Sequence, residues 1–282
     1  GARLVPALQE VYAGISQLQV NGAAMEARHA DMVDRGKQTE ALRGADAERP
    51  LPLSERLDVA GVTFAYPNAE RPALSGLDMT IVANTTVGIV GATGAGKTTV
   101  VDLILGLLAP QQGRVAVDGL TLDRGTLRAW QRTLGYVPQH IFLVDDSVAA
   151  NVALGVPPEQ IDMAAVERAA RIAELHDHVV SELPDGYATT LGEGGVRLSG
   201  GQRQRVGIAR ALYHDPSVLD AATSALGNLT ETAVMDAVHN IAHAKTVIII
   251  AHRLSTVRSC DKIVMLHGGT AVAEGPYDAL LE

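Results

Sequence analysis

The stretch GATGAGKTT, residues 91–99, has the residue types and spacing needed to hold a phosphate group. It fits the pattern G-x-x-x-x-G-K-[ST] and lies between a compact apolar run, residues 85–90, and a segment with helical periodicity. Glycines let the backbone wrap closely around a phosphate, and a helix start presents free N–H groups to an anion. Lys97 suits the β- and γ-phosphates of a nucleoside triphosphate, and the Thr98 hydroxyl suits Mg²⁺. The predicted phosphate-binding residues are Gly91, Thr93, Gly94, Ala95, Gly96, Lys97, Thr98 and Thr99.

A second helix start of this kind is predicted in LSGGQRQRVGIARAL, residues 198–212. Ser199 is a favourable N-cap residue, and Gly200 and Gly201 leave bare N–H groups at the beginning of the helix. One triphosphate cannot easily occupy both helix starts within one compact domain. The pair therefore predicts two chains, placed head to tail, that share the nucleotide.

Three further polar residues follow apolar runs that have the length of strands. Asp220 stands where the run SVL stops, which predicts an acid at a strand end that could hold Mg²⁺ or its water. Gln139 follows a strand and a proline in YVPQH, and its amide could bind both metal and water. His252 ends the run VIIIA, at the edge of a parallel sheet where a γ-phosphate ligand belongs. Each of them taken alone also fits a structural role, as a turn aspartate, a loop glutamine or a strand-end histidine.

Composition limits the class of protein. Hydrophobic residues make up 47% of the 282 residues and aromatic residues 3%, which is typical of α/β proteins. The net charge of −9 argues against a nucleic-acid partner, because phosphate backbones require clustered Lys and Arg. The single cysteine, Cys260, cannot form an internal disulfide, so a reducing compartment is expected. No secretory signal is recognisable, and no apolar run approaches the ~18 residues that cross a bilayer.

The chain is predicted to contain an N-terminal helix and one large domain. In residues 1–45 apolar side chains recur at helical spacing, which predicts an amphipathic helix, and the proline and charged residues of 46–56 predict a linker. Residues 57–282 begin with short strands and continue with alternating strands and helices, and 145–185 has helical periodicity. This order predicts an α/β core with an antiparallel flank and a helical insert. The apolar positions of the N-terminal helix are Leu4, Leu8, Val11, Ile15 and Leu18.

With these motifs in this order, the sequence from Leu57 to Glu282 resembles the nucleotide-binding domain of an ATP-binding cassette (ABC) transporter of the exporter type. The resemblance implies a P-loop NTPase core with a mainly parallel sheet, an antiparallel β subdomain, and a helical subdomain, roughly 140–213, that carries LSGGQ. It also implies the roles of individual residues: adenine stacking for Tyr66, the Q-loop for Gln139, the signature for Ser199, Gly200, Gly201 and Gln202, magnesium binding for Asp220, and the γ-phosphate switch for His252.

The resemblance also implies cofactors and partners. These are ATP and Mg²⁺, a second nucleotide-binding domain that is identical or related, and transmembrane domains of the same transporter at the cytoplasmic face of a membrane. Residues 1–45 would then be the cytoplasmic end of the last transmembrane helix. Residues 145–155 would face the membrane domain, and 191–195 would form the short loop before the signature, with Glu193 at its acidic position. The contacts that select the cargo would lie in the membrane domain.

One expected acid is missing. In the family the magnesium aspartate is followed by a glutamate that polarises the attacking water, whereas Ala221 follows Asp220, and Gly227 replaces the aspartate of the next loop. The strand is also shorter by an even number of residues, which preserves the face that each residue occupies. A second alignment instead omits the Asp–Glu pair and leaves Asp220 inside the strand. Both alignments predict that ATP and Mg²⁺ bind but that hydrolysis is about 10²–10⁴-fold slower.

Three explanations of the missing glutamate remain open. The chain could be the degenerate half of an asymmetric pair, an altered sequence, or an enzyme with another base, although neither Glu231 nor Glu193 is well placed for that role. Three rival functions also remain: a nucleotide-gated module without turnover, a non-transport ABC ATPase acting on DNA or ribosomes, and a small-molecule P-loop kinase. The negative charge disfavours the second, and the intact LSGGQ disfavours the third.

Overall fold

The structure is a computed structural model, and the part described begins at Arg49. The described residues are 49–138, 140–195, 198–222, 235, 237, 238, 240, 241, 243–251 and 254–281. The predicted N-terminal helix, 1–45, and the first residues of the predicted linker lie outside them.

Ten strands form two sheets in the described part of the chain. They are β1 Arg56–Phe64, β2 Leu74–Val82, β3 Thr86–Gly91, β4 Gln112–Val117, β5 Leu120–Thr121, β6 Leu134–Val137, β7 Val218–Ala222, β8 Thr246–Ile250, β9 Lys262–His267 and β10 Thr270–Gly275. One sheet has the order β2-β1-β4-β5 and is antiparallel throughout. The other has the order β10-β9-β3-β8-β7-β6, and only its edge strand β10 is antiparallel to its neighbour.

The six-stranded sheet is covered on both faces, which explains the sequences of its central strands. All five residues of β8, TVIII, are buried, so this strand lacks the alternation of a half-exposed strand. On one face Val218 and Ile248 join an apolar cluster with the helix that follows β3. On the other face Leu219 and Ile249 join the cluster of the helical subdomain. The α/β architecture predicted from the sequence is confirmed.

The helices of the described residues follow the predicted order. They are α1 Lys97–Ile104, α2 Leu127–Gln131, α3 Val148–Val152, α4 Met163–Ile172, α5 His176–Glu182, α6 Gly200–Leu212 and α7 Leu254–Arg258, with short 3-10 turns at Pro158–Gln160, Gly186–Ala188, Glu193–Gly195 and Asp278–Leu280. The helical periodicity of 145–185 corresponds to α3, α4 and α5, which are separated near Pro157 and after Ile172. Within the described residues, none of the helices has the length and apolar character required to span a membrane.

The second half of the predicted linker packs on the domain. Leu51 N–H donates to the Ala129 carbonyl at 3.0 Å, and the Leu53 side chain is buried. The Asp118 carboxylate accepts from the backbone N–H groups of Ser54, Glu55 and Arg56, at 2.9 Å each. The segment before β1 is therefore held by the turn between β4 and β5.

Replacing Asp118 with Asn is expected to lower the free energy of unfolding by about 1 kcal/mol, because the amide group turns an N–H donor toward one of these backbone donors. Burial alone would raise the pKa of Asp118, but hydrogen bonds from Arg56, Ser54 and Glu55 outweigh it and lower the pKa. The stabilisation should therefore be present above the unfolded-state pKa, about 4, and should disappear as the pH falls through the folded-state value. Denaturant unfolding at several pH values measures this effect.

The control is Asp215→Asn. Asp118 and Asp215 both have a left-handed backbone, with φ of 48° and 52°, but the Asp215 carboxylate pairs with the Lys245 ammonium at 2.8 Å. Equal losses for both variants would contradict the role assigned to the three backbone donors.

Candidate nucleotide site

The stretch 91–99, which we call the phosphate loop, leads from the end of a buried strand into the first turn of a helix, as predicted. β3 ends at Gly91 and α1 begins at Lys97. The first turn of α1 has neither a side-chain cap nor an acidic residue, so its N–H groups and positive dipole end remain available for an anion. Gly96 precedes the helix with φ of 100°, and a Cβ there would lie 2.7 Å from both the Ala73 carbonyl oxygen and Leu74 Cδ2. The close turn into the helix therefore requires glycine at this position.

The loop separates buried from exposed side chains. Lys97 is only 7% exposed, and its Nζ donates to the carbonyl oxygens of Gly91, at 2.8 Å, and Ala92, at 3.0 Å. The ammonium therefore lies inside the curve of the loop, where phosphate oxygens would be bound. Thr93, Gly94 and Thr98 are exposed, whereas Ala95 and Thr99 are buried.

Tyr66 is attached to the same loop by contacts that the sequence did not reveal. Its hydroxyl lies 3.2 Å from Thr99 Oγ1, and its ring packs edge-on against Phe64 with centroids 5.1 Å apart. The side chain is still 43% exposed. An aromatic surface is thus held beside the phosphate loop, which is consistent with stacking on a base.

The second predicted helix start lies at the protein surface. The Ser199 hydroxyl accepts from Gln202 N–H at 3.2 Å, and the Gln202 amide oxygen accepts from Ser199 N–H at 2.7 Å, which forms a capping box. Ser199 and Gly200 are exposed. A Cβ added to Gly200 or Gly201 would meet nothing within 4 Å. Packing within this chain therefore does not require the two glycines, and their outer side is open to another molecule.

Arg210 links the helix α6 to the segment after the predicted Q-loop, a connection that sequence reasoning missed. Its Nε donates to the Asn151 carbonyl at 2.8 Å, and one of its terminal nitrogens donates to the Phe142 carbonyl at 2.9 Å. Asn151 is fully buried in α3, and its side-chain amide exchanges hydrogen bonds with the backbone of Val144. An asparagine within an otherwise apolar short helix was the signal available in the sequence.

Asp220 differs from its prediction. The expectation that it ends its strand is wrong, because β7 continues through Ala221 and Ala222. Asp220 pairs with Tyr136 of β6 and Ile248 of β8, is 2% exposed, and its Oδ1 has no hydrogen-bond partner among the described residues. Burial, with a smaller contribution from the charge of Asp102 on α1, raises the pKa of Asp220 to about 7.

Because its folded-state pKa is raised, Asp220 should reduce stability as the pH increases. The unfolded chain releases the proton near pH 4 and the folded chain near pH 7, so the free energy of unfolding should fall between these values and then level off. Asp220→Asn should remove this fall, which is on the order of 3 kcal/mol. Denaturant unfolding at pH 5 and pH 8 tests it, with the exposed Asp185→Asn as control. A fall of unchanged size in Asp220→Asn would contradict the assignment.

Of the three predicted magnesium ligands, Thr98 and Asp220 are among the described residues, and they differ in their surroundings. Thr98 is exposed in the first turn of α1, whereas Asp220 is buried inside β7. The charge that acts on Asp220 is that of Asp102, which lies on α1 one helical turn beyond Thr98. Gln139 and His252 lie outside the described residues, as do Gly227 and Glu231, and the Glu193 side chain is not described. No cluster of three or more His, Cys, Asp or Glu side chains suited to a metal occurs in the described ranges. The described residues fit a phosphate, but Asp220 does not fit its role as a magnesium ligand.

Comparison with known proteins gives a consistent family. Residues 74–224, which are more than half of the chain, match the sequence profile of the family described as ABC transporter. This match extends from β2 through the phosphate loop and the signature helix to two residues beyond β7.

Two curated relatives are named ATP-dependent lipid A-core flippase. The protein of Chromobacterium violaceum is 41% identical over 271 residues, covering 95% of this chain and 45% of the relative. The protein of Cupriavidus pinatubonensis is 44% identical over 223 residues, covering 78% of this chain and 38% of the relative. A solved bacterial Atm1-family ABC exporter with ATP bound superposes with a TM-score of 0.73 at 35% identity, covering 84% of this chain and 41% of that one. This chain therefore spans less than half the length of these relatives.

Proposed function

Because the chain belongs to the ABC transporter family, we propose that it is the ATP-binding motor domain of an exporter. In this proposal the domain binds ATP but hydrolyses it slowly. The observation that carries the proposal is the pair of helix starts. One is the phosphate loop before α1, and the other is the exposed, capped start of α6.

In the proposed binding mode each described residue has a defined task. The backbone N–H groups from Gly94 to Thr98 surround the phosphates, and Lys97 neutralises charge on the β- and γ-phosphates. The Thr98 hydroxyl, which suits Mg²⁺, is exposed in the first turn of α1. Tyr66, held by Thr99 and Phe64, stacks on the base. Family membership implies that bound Mg²⁺ would neutralise further phosphate charge.

The start of α6 completes the site from a second molecule. Its free N–H groups at Gly200 and Gly201 bind the γ-phosphate held by the partner's phosphate loop, and the open space above both glycines lets the phosphate approach. ATP thereby joins two nucleotide-binding domains. In an intact transporter this closure would move the membrane helices through the segment joined to α6 by Arg210.

A complementation experiment tests the shared site. Gly200→Glu should remove the signature without disturbing its own chain, because its Cβ meets nothing and an acidic residue is favourable in the first turn of a helix. Lys97→Ala should remove the phosphate loop. In sedimentation or light-scattering measurements the unchanged chain should form an ATP-dependent dimer, and neither variant alone should do so. Their mixture should dimerise with one ATP per dimer, because it retains one complete site.

Two outcomes would oppose the proposal. One is an ATP-dependent dimer of Gly200→Glu by itself, which would show that the start of α6 is not in the interface. The other is that the unchanged chain binds ATP but does not form a dimer. Ala164→Glu is the matched control, since Ala164 is also an exposed small residue in the first turn of a helix, that of α4.

A module that binds ATP without appreciable turnover is the second candidate, and the absence of a glutamate after Asp220 favours it. Loss of a positioned general base slows hydrolysis by about 10²–10⁴-fold. In an asymmetric pair, such a domain would hold ATP while a related partner hydrolyses it. Equilibrium ATP binding measured beside phosphate release distinguishes this module from an active enzyme.

The setting of the domain is proposed from its relatives. We place it on the cytoplasmic side of a membrane, joined to transmembrane helices of the same transporter and paired with an identical or related domain. The two relatives named as lipid A-core flippases support a lipid as the cargo.

A further inference from the structure

In the six-stranded sheet, residues that pair between parallel strands lie at the same position along the strand direction, which we call their level. The pairing therefore shows how far each residue lies from the phosphate loop. Ala222 pairs with Ile250 of β8, and Ile250 pairs with Ile89 of β3, two residues before the phosphate loop begins at Gly91. Asp220 pairs with Ile248, which pairs with Val87. Asp220 therefore lies two residues, about 6–7 Å, farther from the loop edge than Ala222.

The surroundings of Asp220 agree with this depth. Val218 shares its face and packs in the cluster that contains Val101 and Ile104 of α1. The charge that acts on Asp220 is that of Asp102, four residues after Thr98 and thus about 6 Å farther along α1. The strand register therefore places Asp220 at the level of Val87, four residues before the phosphate loop begins at Gly91.

Positions 220 and 222 share a face of the strand because side chains alternate with a period of two. A carboxylate that reached the phosphates from the end of β7 would therefore have to stand at 222. That position is occupied by alanine.

We infer that this chain has lost the strand-end carboxylate for the metal of a bound nucleotide, that its place is taken by Ala222, and that Asp220 is a buried packing residue. This inference rests on the proposed nucleotide-binding function. It implies that no carboxylate of β7 links a metal ion to the bound triphosphate, so the affinity for the triphosphate hardly depends on Mg²⁺.

The test is an equilibrium titration of the full chain with a fluorescent ATP analogue, in Mg²⁺ and in EDTA. The two dissociation constants should agree within about threefold for the unchanged chain and for Asp220→Asn. In Ala222→Asp, Mg²⁺ should strengthen binding by about tenfold or more, since the new carboxylate stands at the level of Ile89, two residues nearer to the phosphate loop than Asp220. Ala221→Asp adds the same group on the other face and should show no such strengthening.

The outcomes separate the inference from the proposed function. Weaker binding by Asp220→Asn in Mg²⁺ but not in EDTA would show that Asp220 holds the metal, which overturns the inference and leaves the proposed function intact. Mg²⁺-dependent binding by Ala221→Asp but not Ala222→Asp would overturn the register assignment. If the unchanged chain binds the analogue in neither condition, the proposed function fails and the inference fails with it. Should Ala222→Asp not fold, the Asp220→Asn titration decides alone.

Discussion

Substituting an Asp–Glu pair for the residues at positions 222 and 223 is expected to raise the rate of ATP turnover by about 10²–10⁴-fold. This factor is the usual contribution of a positioned general base. The register of β7 places residue 222 at the level of Ile250 and Ile89, two residues before the phosphate loop begins at Gly91. The pair Ala222→Asp with Thr223→Glu should therefore recreate the acid arrangement that the family resemblance describes. Phosphate release by the self-associated chain at saturating ATP measures the change.

The matched control is Ala221→Glu, which recreates the Asp–Glu order in sequence but not its level in the sheet. It should leave turnover unchanged, since the acid before it, Asp220, lies inside the strand. Restoration by Ala221→Glu, and not by the pair at 222 and 223, would refute the register argument. Rapid turnover by the unchanged chain would refute the idea that hydrolysis is impaired at all.

Replacing Lys97 with Ala is expected to weaken ATP binding by about 10–100-fold, which corresponds to about 1.5–3 kcal/mol for a charge-assisted hydrogen bond. The Lys97 ammonium lies inside the loop, 2.8 Å from the Gly91 carbonyl oxygen, and the triphosphate would lose its compensating charge. Titration with a fluorescent ATP analogue in EDTA measures the loss without a contribution from metal.

The control for Lys97 is Lys262→Ala. Lys262 also donates to a backbone carbonyl, that of Thr80 at 3.0 Å, and pairs with Glu274 at 2.9 Å, but it belongs to β9 rather than to the loop. Its removal should leave ATP affinity unchanged. Comparable losses of affinity in both variants would indicate a general destabilisation instead of a lost phosphate contact.

The described strands and helices show which local signals were sufficient. β3 and β8 were predicted because a buried strand of a parallel sheet appears as a short apolar run bounded by turn residues. The hairpin strand β10, in contrast, was missed, since TAVAEG is partly exposed and contains no continuous apolar run. The sequence predicted one helical region where the structure has α3, α4 and α5. Pro157 and Pro158 indicate the break between α3 and α4, but no proline indicates the break after Ile172.

The sequence by itself determined the phosphate loop, the capped signature helix and the α/β class, because each depends on residues that are close together in the chain. Only the tertiary structure decided the level of Asp220 in the sheet, the attachment of Tyr66 to Thr99, and the link from Arg210 to Phe142. These features depend on the pairing of segments that lie far apart in the chain. In β7 a shift of two residues preserves the face of every side chain, so the alternation in the sequence could not reveal it, whereas hydrogen bonding to β6 and β8 specifies one register.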